Sequence, residues 1–301
     1  MILDTDIGTD VDDALALAML FGAPDVDLLA VTTVYGNVAV RAQIARRLAR
    51  LAGRDALAVV PGKSRPLSGG EPWWAGFEGR LYADLECEAF AEDLKAPEFL
   101  VERVVAAPGE IDIVATGPLT NIAAALRADP RFASSVRMLY VMGGRYDGED
   151  PIEHNFRSDA VAAAEVFASG IPVTVVGLEV TTQVRIGPDE LATIAAAGAL
   201  GRQLEAEVHQ WWDYTGREWN HPHDPLAVLA MLRPDLVGMR RAKVRVEPRG
   251  ENAGRCVTEP FDGTESPESF GTCVVDSVKI TPAVTEIVEL VEAAGHQGPS
   301  A

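Results

Sequence analysis

Asp4, Asp6, Asp10, Asp12 and Asp13 fall within ten residues near the start of the chain. They lie between an apolar lead-in at Ile2-Leu3 and an apolar run that begins at Ala14. Carboxylates crowded this closely repel one another unless some take up protons or a cation sits among them. A cation needs more oxygens than one turn supplies. Calcium takes about six to eight, from carboxylates, carbonyls and water, whereas magnesium keeps a stricter octahedron with fewer protein ligands. Asp224 and the carbonyl of Thr116, in Thr116-Gly117-Pro118, are candidates to complete the set. Asp12 and Asp13 open a helix-like run, where the helix dipole favours negative charge. Successive helical residues point roughly 100° apart. If one grips a metal, the other has a different task, such as accepting a hydrogen bond from a hydroxyl.

Asn37, Glu153 and Asn155 suit a polyhydroxylated ligand, because amides and carboxylates engage several hydroxyls at once. His223 titrates near neutral pH. A metal that also binds vicinal hydroxyls, a carboxylate that deprotonates water and a histidine beside the leaving group together describe glycoside-type hydrolysis. Its transition state is cationic at the sugar, and a negatively charged pocket stabilises it. Each piece also has a plainer role: a solvated cap for the acidic turn, a turn residue at Asn37, a strand-to-helix turn at Thr116 and a structural histidine at His223.

The elements that position these residues alternate. Apolar strands are predicted over residues 28–35, 56–60, 111–115, 136–142 and 172–178, after a first strand at Ile2-Leu3. Helices are predicted over 11–21, 40–51, 97–106, 119–126 and 159–168, with further helices over 188–197, 202–214, 225–231 and 282–293. Shorter strands are expected at 243–247, 255–258 and 273–277. This alternation predicts an α/β fold with an open, mostly parallel sheet covered by helices on both faces. Ligands of such sheets gather where strands end, and the acidic turn, Asn37, Thr116, Glu153 and Asn155 all follow predicted strands. The helix carrying Arg41, Arg46, Arg47 and Arg50 reads as a solvated basic face. Residues 63–92 form a long loop with Trp73 and Trp74, of the kind that is usually functional. One domain over residues 1–301 is expected, with residues 295–301 a loose tail.

The chain has 301 residues and a formal net charge of −19. That charge disfavours nucleic acid and anionic membranes as partners. Cys87, Cys256 and Cys273 show neither CxxC spacing nor an even count, so free thiols in a reducing compartment are expected. With no long apolar run and no basic-then-apolar leader, a cytoplasmic location is predicted.

The motifs DTDIGTDVDDALAL, TTVYGN, VATGPLTNIA, VMGG with EHN, and HDPLAV occur in that order. From Asp4 to about residue 280 the chain resembles the inosine-uridine-preferring nucleoside hydrolases. The resemblance implies calcium-dependent cleavage of ribonucleosides to free base and ribose, by a homodimer or homotetramer. It implies calcium ligands at Asp6, Asp13 (bidentate), the Thr116 carbonyl and Asp224, with Asp6 also the base that activates water. It implies Asp12, Asn37, Glu153 and Asn155 on the ribose, and His223 facing the base as proton donor in a segment that also carries Trp219 and His221. The chain departs from the family pattern by placing Thr9-Asp10-Val11 between Gly8 and the Asp pair, and Asp147 where an asparagine is common. The loop with Trp73-Trp74 lacks the family's His-Gly pairing. Two alternatives are a calcium-dependent nucleoside- or sugar-binding protein without turnover, and a haloacid dehalogenase-like phosphatase. Scarce lysine and HDP in place of an acidic pair weigh against the phosphatase.

Overall fold

Residues with β-branched and aliphatic side chains build six strands in the first part of the chain: β1 (Ile2–Thr5), β2 (Ala30–Thr33), β3 (Ala58–Pro61), β4 (Ile111–Ala115), β5 (Val136–Met142) and β6 (Val173–Val176). Four more follow: β7 (Val237–Arg241), β8 (Lys243–Val246), β9 (Cys256–Glu259) and β10 (Thr272–Val278). The structure is a computed structural model that describes residues 1–259 and 272–297. Among the described residues, eight strands form one sheet in the order β3-β2-β1-β4-β5-β6-β10-β7. Every pair in it is parallel except β10 with β7. β8 and β9 form a separate antiparallel ribbon.

Between the strands run α1 (Asp12–Gly22), α2 (Val38–Leu51), α3 (Ala96–Ala106), α4 (Thr120–Ala128), α5 (Arg131–Ser135), α6 (His154–Ser158) and α7 (Ala160–Ala168). Then come α8 (Leu178–Thr181), α9 (Pro188–Ala195), α10 (Gly198–Thr215), α11 (His223–Leu232) and α12 (Ile280–Gln297). The start of the expected tail is corrected. Residues 295–297 continue α12, and 298–301 lie outside the described residues. No described helix is long and apolar enough to cross a membrane.

Strand residues alternate between two apolar layers, as the period of two requires. Ile2, Ala30, Ile113, Val141 and Val175 face a core that holds Phe99, Leu100, Ile122 and Val166 of α3, α4 and α7. Leu3, Val31, Val114, Met142 and Val176 face the opposite core, with Leu15, Ile44, Leu204, Leu226 and Ile287 of α1, α2, α10, α11 and α12. Burial on both faces is what makes the strands read as continuous apolar runs.

Strand order reverses at β1. From β1 the chain moves outward through β2 and β3, then returns to place β4 on the other side of β1. The connections that leave the C-terminal ends of β1 and β4 diverge to opposite faces. This leaves a crevice at the switch point.

Candidate active site

A cavity of about 630 Å³ opens at this crevice, lined by residues that include Asp6, Asp12, Asp13, Thr116, His223 and Asp224. Two helices aim their N-termini into it. Asp12 and Asp13 occupy the first turn of α1, and Asp224 the first turn of α11. Carboxylates belong there electrostatically, since each helix presents unpaired N–H groups and the positive end of its dipole. The backbone N–H of Asp224 donates to Asp12 Oδ2 at 3.3 Å, which ties the two helix starts together. One oxygen from each of Asp12, Asp13 and Asp224 lies within 4.8 Å of the others.

Asp13 is held from behind. Thr5 Oγ1 and Thr116 Oγ1 both donate to its Oδ1, the second at 2.8 Å. Asn155 Nδ2 donates to the Thr116 carbonyl at 2.6 Å, and that oxygen keeps a second lone pair. Gly117 follows because nothing larger fits: a Cβ there would stand 2.8 Å from Asp6 Oδ1.

Burial is the main force on these acids. It pushes Asp6 up to about 6 and Asp10 and Asp13 up to about 7. Burial, then the neighbouring carboxylates, hold Asp12 and Asp224 well above the usual carboxylate range. The donors are all oxygen, and Arg41, 3.9 Å from Asp6, offsets their mutual repulsion only in part. That combination fits a hard divalent ion. The geometry groups Asp12, rather than the expected Asp6, with Asp13 and Asp224; Asp6 lines the same cavity.

His223 also lines the cavity. Its Nδ1 lies 2.7 Å from Thr181 Oγ1, and burial pushes its pKa down to about 3, so the ring is neutral at physiological pH. Trp211, Trp73, Tyr35 and His154 give the wall an aromatic part. Trp73 and Tyr35 meet the His154 ring edge-on at 5.8 and 6.1 Å.

Several expected site residues have other tasks. Asn37 is exposed and outside the cavity; its side chain caps α2 by accepting from Val40 N at 3.2 Å. Trp219 and His221 stand behind the wall. The guanidinium carbons of Arg185 and Arg217 stand 4.1 and 5.1 Å from the centre of the Trp219 ring, and His221 Nδ1 donates to the Val184 carbonyl at 2.7 Å. Glu153 and Asn155 do line the cavity. Glu153 accepts from the backbone N–H groups of Gly144, Asn155 and Phe156, capping α6. Asp4 is buried outside the cavity, bonded to Thr32 and Asn121.

The expected solvated arginine face is corrected. Arg41 is 1% exposed and lines the cavity, while Arg47 and Arg50 pair with Glu88. The signal was available: Arg41 shares a helical stripe with Ile44, Ala45 and Leu48, spaced three, four and seven residues on.

The sequence profile of the inosine-uridine preferring nucleoside hydrolases matches residues 1–285. Uridine nucleosidase 1 of Arabidopsis thaliana is 34% identical over 279 residues, covering 86% of this chain and 81% of that protein. A non-specific ribonucleoside hydrolase of Salmonella agona is 35% identical over 275 residues, covering 86% and 87%. Among solved structures, a purine-preferring ribonucleoside hydrolase from Gardnerella vaginalis superposes with a TM-score of 0.85 at 26% identity, covering 98% of each chain. A plant nucleoside hydrolase superposes with a TM-score of 0.84 at 28% identity, covering 96% of this chain and 98% of that one.

Proposed function

Because this chain belongs to the inosine-uridine preferring nucleoside hydrolase family, we propose that its cavity hydrolyses the N-glycosidic bond of ribonucleosides, releasing free base and ribose. The observation that carries this reading is the convergence of Asp12, Asp13 and Asp224 from two helix N-termini beside Asp6 and His223. We further propose calcium as the ion, held by Asp12, Asp13, Asp224 and the Thr116 carbonyl, since this donor set is rich in oxygen and lacks nitrogen and sulfur. Bound there, calcium would supply positive charge that makes a neighbouring water more acidic.

The chain's own groups do the rest. Asp6 takes the proton of the attacking water as its oxygen bonds to C1′ and the C1′–N bond breaks. Carboxylates around the sugar stabilise the positive charge that C1′ carries during the exchange. His223, neutral at rest, hydrogen-bonds the departing base. As negative charge grows on that base, the ring gives it the proton from one nitrogen and takes a solvent proton at the other, so the base leaves protonated and the ring ends neutral. Glu153 and Asn155, already fixed by backbone contacts, position the wall against the ribose. The three free cysteines suit the cytoplasm.

The test is a reducing-sugar assay with inosine, uridine, cytidine and adenosine in the presence of calcium. Ribose release from at least one is expected. Saturable nucleoside binding with no release from any would replace the enzyme reading by a binding protein.

A further inference from the structure

Arg41 lines the cavity, and the catalytic scheme above gives it no role. Its side chain is 1% exposed, and burying a guanidinium is costly unless its donors are satisfied. Two of them are: Nε donates to the Tyr35 carbonyl at 2.6 Å and Nη1 to the Ile7 carbonyl at 2.8 Å. These carbonyls belong to the segments leaving β2 and β1, so the guanidinium staples the two strand ends that frame the site. The remaining nitrogen, Nη2, stands 3.9 Å from Asp6 Oδ2, beyond a hydrogen bond but within reach of a small side-chain movement. The guanidinium carbon lies 5.0 Å from the centre of the Trp74 ring.

Neighbouring residues are arranged around this group. Tyr35 has a φ of +67°, a conformation that costs a non-glycine residue energy and persists where the surroundings demand it. Its carbonyl is the one Arg41 Nε holds, and its hydroxyl accepts from Trp73 N at 2.8 Å. Gly36 has a φ of +74°, and a Cβ there would press to 3.0 Å from the Trp74 ring. Strain at Tyr35, a missing side chain at Gly36 and an indole at Trp74 thus converge on one buried arginine.

We propose that Arg41 is a positioning residue for the reaction: it sets the place of Asp6 by fixing the chain just after it, at Ile7, to the end of the neighbouring strand at Tyr35 and by lending it a permanent positive neighbour, and it links that carboxylate to the Trp73-Trp74 loop. The assignment rests on the hydrolase reading of the site. It predicts that Arg41 acts on turnover and little on substrate binding, because the carboxylate it pairs with is Asp6, while Asp13 of the three-acid cluster feels its charge only at longer range.

The experiment compares Arg41→Met and Arg41→Lys with the wild-type chain in steady-state hydrolysis, with calcium titration calorimetry on the same samples. Arg41→Met is expected to lose about 100-fold in kcat, the scale of a misplaced reacting group, with KM and calcium affinity each within about threefold of wild type. Arg41→Lys keeps the charge without the fork and should recover about tenfold of that loss. A kcat for Arg41→Met within about threefold of wild type overturns the proposal, as does a loss carried by KM or by calcium affinity. If Arg41→Met does not fold, Arg41→Lys alone decides: a reduced kcat at unchanged KM and calcium affinity supports positioning, and wild-type kinetics reject it. Wild-type protein that releases no ribose rejects the hydrolase reading itself, and the proposal with it, which an active wild type beside an unimpaired variant does not.

Discussion

His223 carries the sharpest consequence at the scale of single residues. Thr181 at Nδ1 and full burial keep the ring neutral, so the histidine earns a catalytic role only if the leaving base needs its proton. Inosine has a poor leaving group and nitrophenyl riboside a good one. His223→Ala should therefore lose about 100-fold or more in kcat/KM on inosine, and less than about tenfold on the nitrophenyl compound. Equal losses on the two substrates would assign His223 to binding instead. Residue types alone pointed to Asp12, Asp13, Asp224 and His223, because carboxylates crowd at a cost that demands an explanation. Asn37 has a second task that residue type could not reveal: an amide after a strand serves a sugar and a helix N-terminus equally well, and here its oxygen caps α2.

Among elements, the contact between the long loop and α10 holds a buried acid. Tyr82 donates its hydroxyl to Glu207, and burial pushes Glu207 from 4.5 up to about 7. The folded chain therefore holds a proton that the unfolded chain releases above pH 4.5. Stability contributed by the neutral acid is complete below that pH and falls as pH rises towards 7, by on the order of 3 kcal/mol. Glu207→Gln imitates the protonated side chain. Urea denaturation of both proteins should give similar stability near pH 4.5 and a more stable variant at pH 8; parallel pH curves would show that Glu207 does not titrate in this window. Elements themselves were legible where apolar runs were continuous. β7 was missed because Val237-Gly238-Met239-Arg240-Arg241 carries charge on an edge, where one side pairs with β10 and the other lacks a strand partner among the described residues.

At the scale of the whole molecule, the proposed cation would join parts of the chain more than 200 residues apart. Two helix starts, α1 and α11, meet across like charges, so a bound ion should stabilise the entire fold. Calcium at a hundredfold excess over its Kd should add about 3 kcal/mol and raise Tm by on the order of 5 °C. Chelator should reverse the gain, and Asp13→Ala should abolish it together with activity. A thermal scan in which the variant responds to calcium as the wild type does would remove Asp13 from the ligand set.

By itself the sequence determined the alternation of strand and helix, and so the parallel sheet, since strands buried on both faces must be apolar throughout. It also determined which acids and amides follow strand ends. Tertiary structure alone decided their company. Local pattern reports the face a side chain occupies but not what a distant segment brings against that face. Arg41 sits on an apolar stripe that any reader could count, yet only the fold sets Asp6, Tyr35 and Trp74 around it and turns a surface-type residue into part of the site.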